Sequence, residues 1–239
     1  LVPEKVVNTN GFIVEGPNGK WKDILSGKSK YKVMAAVQGE IDEAGLMKGN
    51  GLVNCYDYAR AQRVKEWAEN KQKFKEHYFI KSYPALQIEE VVINNADADS
   101  LPLEQKIKFS SQLNSSGEYR YFSVNLFSDI EDNPFVSDTR ISDIDFGVQQ
   151  DYVLFGNYTI PPGYIFEGIP ENITMTTPDN GIIFNRTTQV ESNLLNVRIN
   201  IEFKKPFYTA DSYPEFKEFY KRLFDKLSEQ VVIRKKTTP

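Results

Sequence analysis

Beyond Pro84 the apolar and polar positions alternate in short runs broken by turn residues. Tyr119, Tyr121 and Ser123 alternate with Arg120, Phe122 and Val124; Val197, Ile199, Ile201 and Phe203 alternate with Arg198, Asn200 and Glu202. Period two over runs of this length predicts half-buried strands, here at 86–94, 105–113, 119–126, 152–160, 182–189 and 194–203. Strands so spaced predict an antiparallel β-sandwich with immunoglobulin-like layers in an α+β, mainly β chain. No repeat period recurs, which excludes a solenoid or propeller.

The first third reads differently. Residues 1–30 are rich in turn formers (Asn8-Thr9-Asn10-Gly11, then Gly16-Pro17-Asn18-Gly19) around the apolar run Phe12-Ile13-Val14, with Trp21 following. Short strands joined by tight turns are expected there. The runs 31–40 and 46–53 predict a hairpin, with Gly49 and Gly51 marking a bulge or a close backbone approach. One helix is expected over 55–77, with Tyr56, Ala59, Val64, Trp67 and Phe74 on its packed face. These elements predict two segments, a hairpin-plus-helix linker module at 1–82 and a sandwich with a C-terminal helix and strand at 83–239. In that last helix Tyr213, Phe216, Phe219, Tyr220, Leu223, Phe224 and Leu227 fall at helical spacing, Ser212 and Glu215 form a capping-box pattern, and 230–236 reads as a closing strand.

Composition narrows the chemistry. The 239 residues are 40% hydrophobic and 26% charged with a net charge of -4, an ordinary globular balance that argues against nucleic-acid binding. No apolar run is long enough for a membrane-spanning helix, and no export signal is evident. The chain opens at Leu1-Val2-Pro3 without methionine, which reads as a piece of a longer protein. Its one cysteine and one histidine, Cys55 and His77, would stand about 33 Å apart on a single helix, beyond any nucleophile–base contact. They are also too few for a zinc site. No catalytic residue and no cofactor is expected.

The densest acidic stretch holds Asp129, Glu131, Asp132, Asp143 and Asp145, with Asp138 between them. Converging carboxylates suit a hard cation such as Ca²⁺, so these five are the metal candidates, although the spacing lacks an EF-hand's closing glutamate. The simpler expectation is a solvated loop in which Arg140 pairs a carboxylate, with no metal bound. Aromatic residues make up 13% of the chain, enough for a ligand platform on an exposed sheet face once the core is filled. Four glycosylation sequons begin at Asn114, Asn157, Asn172 and Asn185, relevant only in a eukaryotic secretory setting.

Three stretches resemble the uncharacterised C-terminal domain that follows the papain-like core of Bacteroidetes transglutaminase-like proteins: LVPEKVVNTNGFIVEGPNGKWKDI, NPFVSDTRISDIDFG with YTIPPGYIFEGIP, and SYPEFKEFYKRLFDKLSEQVVIRKK. The pattern often has proline and valine where this chain has Ser142-Asp143-Ile144 before Asp145-Phe146-Gly147. The resemblance implies a non-catalytic accessory domain whose partner is an upstream catalytic domain of the same polypeptide, in the periplasm, cell envelope or outside the cell. Cys55 and His77 match none of that family's triad motifs. The alternative is an independent β-sandwich module binding a peptide or a glycan.

Overall fold

The computed structural model describes residues 1–16, 18–25 and 27–236, so Pro17 of the expected Gly16–Gly19 turn lies outside the described residues. In chain order the strands and helices are β1 (Thr9–Glu15), β2 (Asn18–Ile24), β3 (Tyr31–Ile41), β4 (Leu46–Tyr56), α1 (Asp57–Glu69), α2 (Lys71–Lys75), β5 (Gln87–Asn94), β6 (Leu103–Gln112), β7 (Asn114–Ser116) and β8 (Tyr119–Ser123). They continue as β9 (Ile144–Asp145), β10 (Gln150–Thr159), β11 (Tyr164–Gly168), β12 (Ile173–Thr176), β13 (Ile182–Glu191), β14 (Leu194–Phe203), β15 (Phe207–Tyr208), α3 (Tyr213–Leu227) and β16 (Gln230–Lys235). The expected α+β, mainly β architecture with a packed C-terminal helix is observed, and each strand expected after Pro84 is present within a few residues.

Eight strands form the large sheet in the order β12-β13-β14-β10-β3-β4-β6-β5, and four form a smaller one, β11-β16-β8-β7. One central pair departs from the antiparallel pattern, because β10 runs parallel to β3. Strands from both sides of residue 83 therefore share one sheet: β3 lies between β10 and β4, and β4 lies against β6. The physical reason is the inward row Val33, Ala35 and Val37, which is buried in the same apolar cluster as Leu154, Ile199 and Ile107. A segment expected as a linker module supplies the middle of the sheet.

The inner face of the large sheet is covered by α1, α3 and the small sheet. Tyr158 of β10 packs on Phe122 of β8, ring centroids 5.2 Å apart, and its hydroxyl donates to the Val124 carbonyl. The apolar stripe of α3 is buried as its spacing predicts, with Phe216 and Tyr220 stacked at 4.6 Å and Phe203 of β14 against Tyr220. Ser212 does not cap this helix. It ends a 3-10 turn, Ala210–Ser212, and its hydroxyl meets Thr209 Oγ1 at 3.1 Å. At the other end of α3, the buried Arg186 of β13 donates to the Lys226 carbonyl and to Glu229, so a cation closes the negative end of the helix dipole.

The expected single helix over 55–77 is not formed. Cys55 lies on β4, and α1 ends at Asn70, whose backbone is extended and whose side chain accepts from Lys73 N at 2.9 Å to start α2. An amide that caps the following helix competes with continuing the preceding one. A π-helical turn, Glu76–Lys81, follows. Gly49 and Gly51 lie in unbroken register, so their role is close approach and not a bulge. A Cβ on Gly51 would come within 2.9 Å of the Phe127 ring.

Candidate functional site

The acidic candidates are dispersed by the fold. Phe127 and Asp129 adopt left-handed backbone, φ 60° and 68°, and this irregular loop turns both side chains toward the core. Asp129 accepts from Arg63 at 2.5 Å and from the Tyr31 hydroxyl at 2.9 Å. Glu131 accepts from the Tyr83 hydroxyl, Asp143 from the Ala210 amide, and Asp145 from the Gly147 amide, while Asp132 is exposed. The five candidates are thus engaged separately, by side chains and turn amides or by solvent. Among the described residues, no three His, Cys, Asp or Glu side chains gather as a metal-holding group. Arg140 donates to the carbonyls of Ser142 and Asp143, so it organises the loop backbone and not a carboxylate.

The chemistry-bearing residue that sequence periodicity missed is Arg63. It lies on the buried face of α1, 3% exposed, with its guanidinium 3.9 Å from the centre of the Tyr78 ring. It donates to Gln105 Oε1, and Gln105 in turn donates to Cys55 Sγ at 3.2 Å. Burial opposes its charge most strongly, but Asp129 together with Cys55, Tyr31 and Tyr78 outweighs burial and keeps the guanidinium protonated. The same network explains Cys55. Burial pushes the thiol up to about 11, so a thiolate nucleophile is disfavoured. His77 is exposed on the π-helical turn, its ring against Tyr78.

Three surface features remain. A cleft of 330 Å³ opens beside Tyr83, Leu113, Asn125, Glu131 and Phe224. Glu131 is exposed as a residue, yet partial desolvation of its carboxyl raises its pKa, against the opposing Tyr83 hydrogen bond and with help from Asp129. Next, the hairpin β1–β2 bears an aromatic pair, Phe12 and Trp21, with centroids 5.1 Å apart. They are 52% and 70% exposed, and Val14 beside them is 75% exposed. Last is the outer face of the large sheet, where outward positions of neighbouring strands line up in rows. Phe155 faces Arg198 on β14 and Ala36 on β3; Ala36 faces Leu52 on β4. The adjacent row is a run of amides, Gln189, Asn196, Asn157, Gln38 and Asn50, on β13, β14, β10, β3 and β4. The signal in the sequence is an Asn or Gln at outward positions of these strands, but no single strand reveals the row.

Residues 118–233 match a domain of unknown function known from a solved structure, DUF3858. The match covers just under half of the chain, from β8 to β16, and includes the NPFVSDTRISDIDFG and YTIPPGYIFEGIP stretches. The expected likeness to an uncharacterised domain is met at that level. Among curated proteins none matches the chain. A solved structure described as a "putative protease" from Parabacteroides distasonis is similar at 13% identity and a TM-score of 0.36, covering 41% of this chain and 19% of that one. The matched part thus spans less than a fifth of that protein. Among the described residues, no helix is long and apolar enough to cross a membrane.

Proposed function

We propose that the chain is a non-catalytic accessory domain that packs against a transglutaminase-like catalytic domain of the same polypeptide, in the periplasm, cell envelope or outside the cell. The observation that carries the docking is the β1–β2 hairpin. A two-stranded ribbon is marginal by itself, and an exposed aromatic pair flanked by Val14 is a surface that a partner covers. The engagement of Arg63, Asp129 and Cys55 with one another supports the non-catalytic part, since these groups are spent on the core. The transglutaminase-like partner is taken from the sequence resemblance.

The test uses Trp67→Phe, which leaves Trp21 as the sole tryptophan. In the isolated chain acrylamide should quench it freely; in the full native gene product, with every tryptophan outside this chain also replaced by phenylalanine, it should be shielded, and Phe12→Ser should restore quenching. Equal quenching in both, or a native gene without a transglutaminase-like domain, sinks the reading.

A second reading, a binding module, is favoured by one specific observation: the outer face of the large sheet presents hollows of 430 Å³ and 540 Å³, both lined by Asn157.

A further inference from the structure

Asparagine is disfavoured in strands, where threonine serves a solvated face better. Yet outward positions of five consecutive strands form one unbroken row of amides, Gln189 to Asn50. Neighbouring strands are about 4.8 Å apart, so the row presents an amide at each such step. Every amide offers both donors and an acceptor. Asn157 Nδ2 already donates to Asn196 Oδ1 at 2.5 Å, which fixes the orientation of two of them.

The row beside it is apolar at its centre, Phe155, Ala36 and Leu52, with Phe155 37% exposed. The guanidinium of Arg198 lies 5.4 Å from the Phe155 ring centre, bracing it. Charge is balanced where the face meets β6 and β5: Lys108 pairs with Glu90 at 3.0 Å and Lys106 with Glu104 at 3.1 Å. With the Arg198 guanidinium laid on Phe155, a ligand matching this strip needs no net charge, carries hydroxyls at regular intervals along one side, and shows an apolar C–H face on the other. These are the properties of a pyranose chain. A peptide is matched less well, because extended peptides add to sheet edges, where backbone groups are free, and this is a face.

We propose that the outer face of the large sheet binds a neutral polysaccharide, with the amide row taking its hydroxyls and Phe155, Ala36 and Leu52 its C–H faces. This rests on the binding-module reading and is independent of the hairpin's role. The test is affinity electrophoresis of the whole chain in gels containing hydroxyethylcellulose, dextran or yeast mannan, with polygalacturonate and heparin as anionic counterparts. At least one neutral polymer should retard the protein, and Phe155→Ala and the double variant Gln38→Ala/Asn50→Ala should each weaken that retardation at least tenfold with circular dichroism and Tm preserved. Gln38 and Asn50 are surface positions whose truncation leaves the core intact, so this variant stays informative if Phe155→Ala is unstable. Retardation by none of the neutral polymers, or retardation that the variants leave unchanged, overturns the proposal. Stronger retardation by the anionic polymers also overturns it. Peptide-library binding abolished by the same variants would overturn the glycan assignment while keeping the binding module. Self-association abolished by Phe155→Ala would assign the face to a second copy and overturn both.

Discussion

At the scale of single residues, Cys55, Arg63 and Asp129 are held in contacts within the core. Cys55 is fully buried and its thiol is pushed up to about 11, so iodoacetamide at pH 8 should label the native protein only at the rate of unfolding. Prompt stoichiometric labelling would contradict this. Arg63 and Asp129 form a buried pair, and removing one partner strands the other charge. Arg63→Ala should therefore cost about 3 kcal/mol in urea unfolding. Combining it with Asp129→Asn should cost less than the sum of the two single changes, and strict additivity would mean that the pair is not coupled. Asp179 contributes to the acid dependence. Burial acts against its charge, but Lys205, the Thr177 hydroxyl and the Gly181 amide bring it down to about 2. A carboxylate depressed on folding stabilises above its unfolded value, and that stabilisation fades as pH falls from about 4 toward 2. The Tm of Asp179→Asn should lie below that of the native chain at pH 6, and the two should converge near pH 2.

At the scale of elements, period two located the strands, while helical spacing did not reveal the break at Asn70. Nothing in the run 55–77 marks Asn70 as a break, because asparagine is tolerated in helices and its capping bond to Lys73 exists only once α2 has formed. The buried stripe of α1 was hidden for a related reason: it includes Arg63, a residue that periodicity counts as polar and that only the facing Asp129 makes stable in the core. Ser212 shows the converse, a capping pattern present in sequence whose hydroxyl is taken by Thr209. The glycines of β4 were legible as a bulge or a close approach, and the unbroken register decides for close approach. Gly51→Ala would drive a methyl against Phe127, and overpacking of this kind should cost about 1–3 kcal/mol; an unchanged Tm would show that the Phe127 ring moves aside freely.

At the scale of the whole molecule, the main core draws on residues from Val33 to Ile233, on both sides of residue 83. β3 and β4 sit between β10 and β6, so fragment 83–239 lacks two central strands of the large sheet. Expressed alone it should have no cooperative thermal transition, and dispersed, stable amide resonances from it would show that the sandwich folds independently. The candidate site depends on the same arrangement. Its amide row is drawn from β13, β14, β10, β3 and β4, and it exists only because the sheet brings 38 and 50 beside 157 and 196.

The sequence by itself determined where the strands and the last helix lie, since alternation and helical spacing are local records of which side faces the core. It also determined that one cysteine and one histidine leave little room for thiol or zinc chemistry. Only the tertiary structure decided the order of the strands, the parallel pairing of β3 with β10, the partners of the acidic residues and the composition of the outer face. Each depends on residues far apart in the chain meeting in a particular register, and a local pattern specifies which face a residue takes without specifying its neighbour across the sheet.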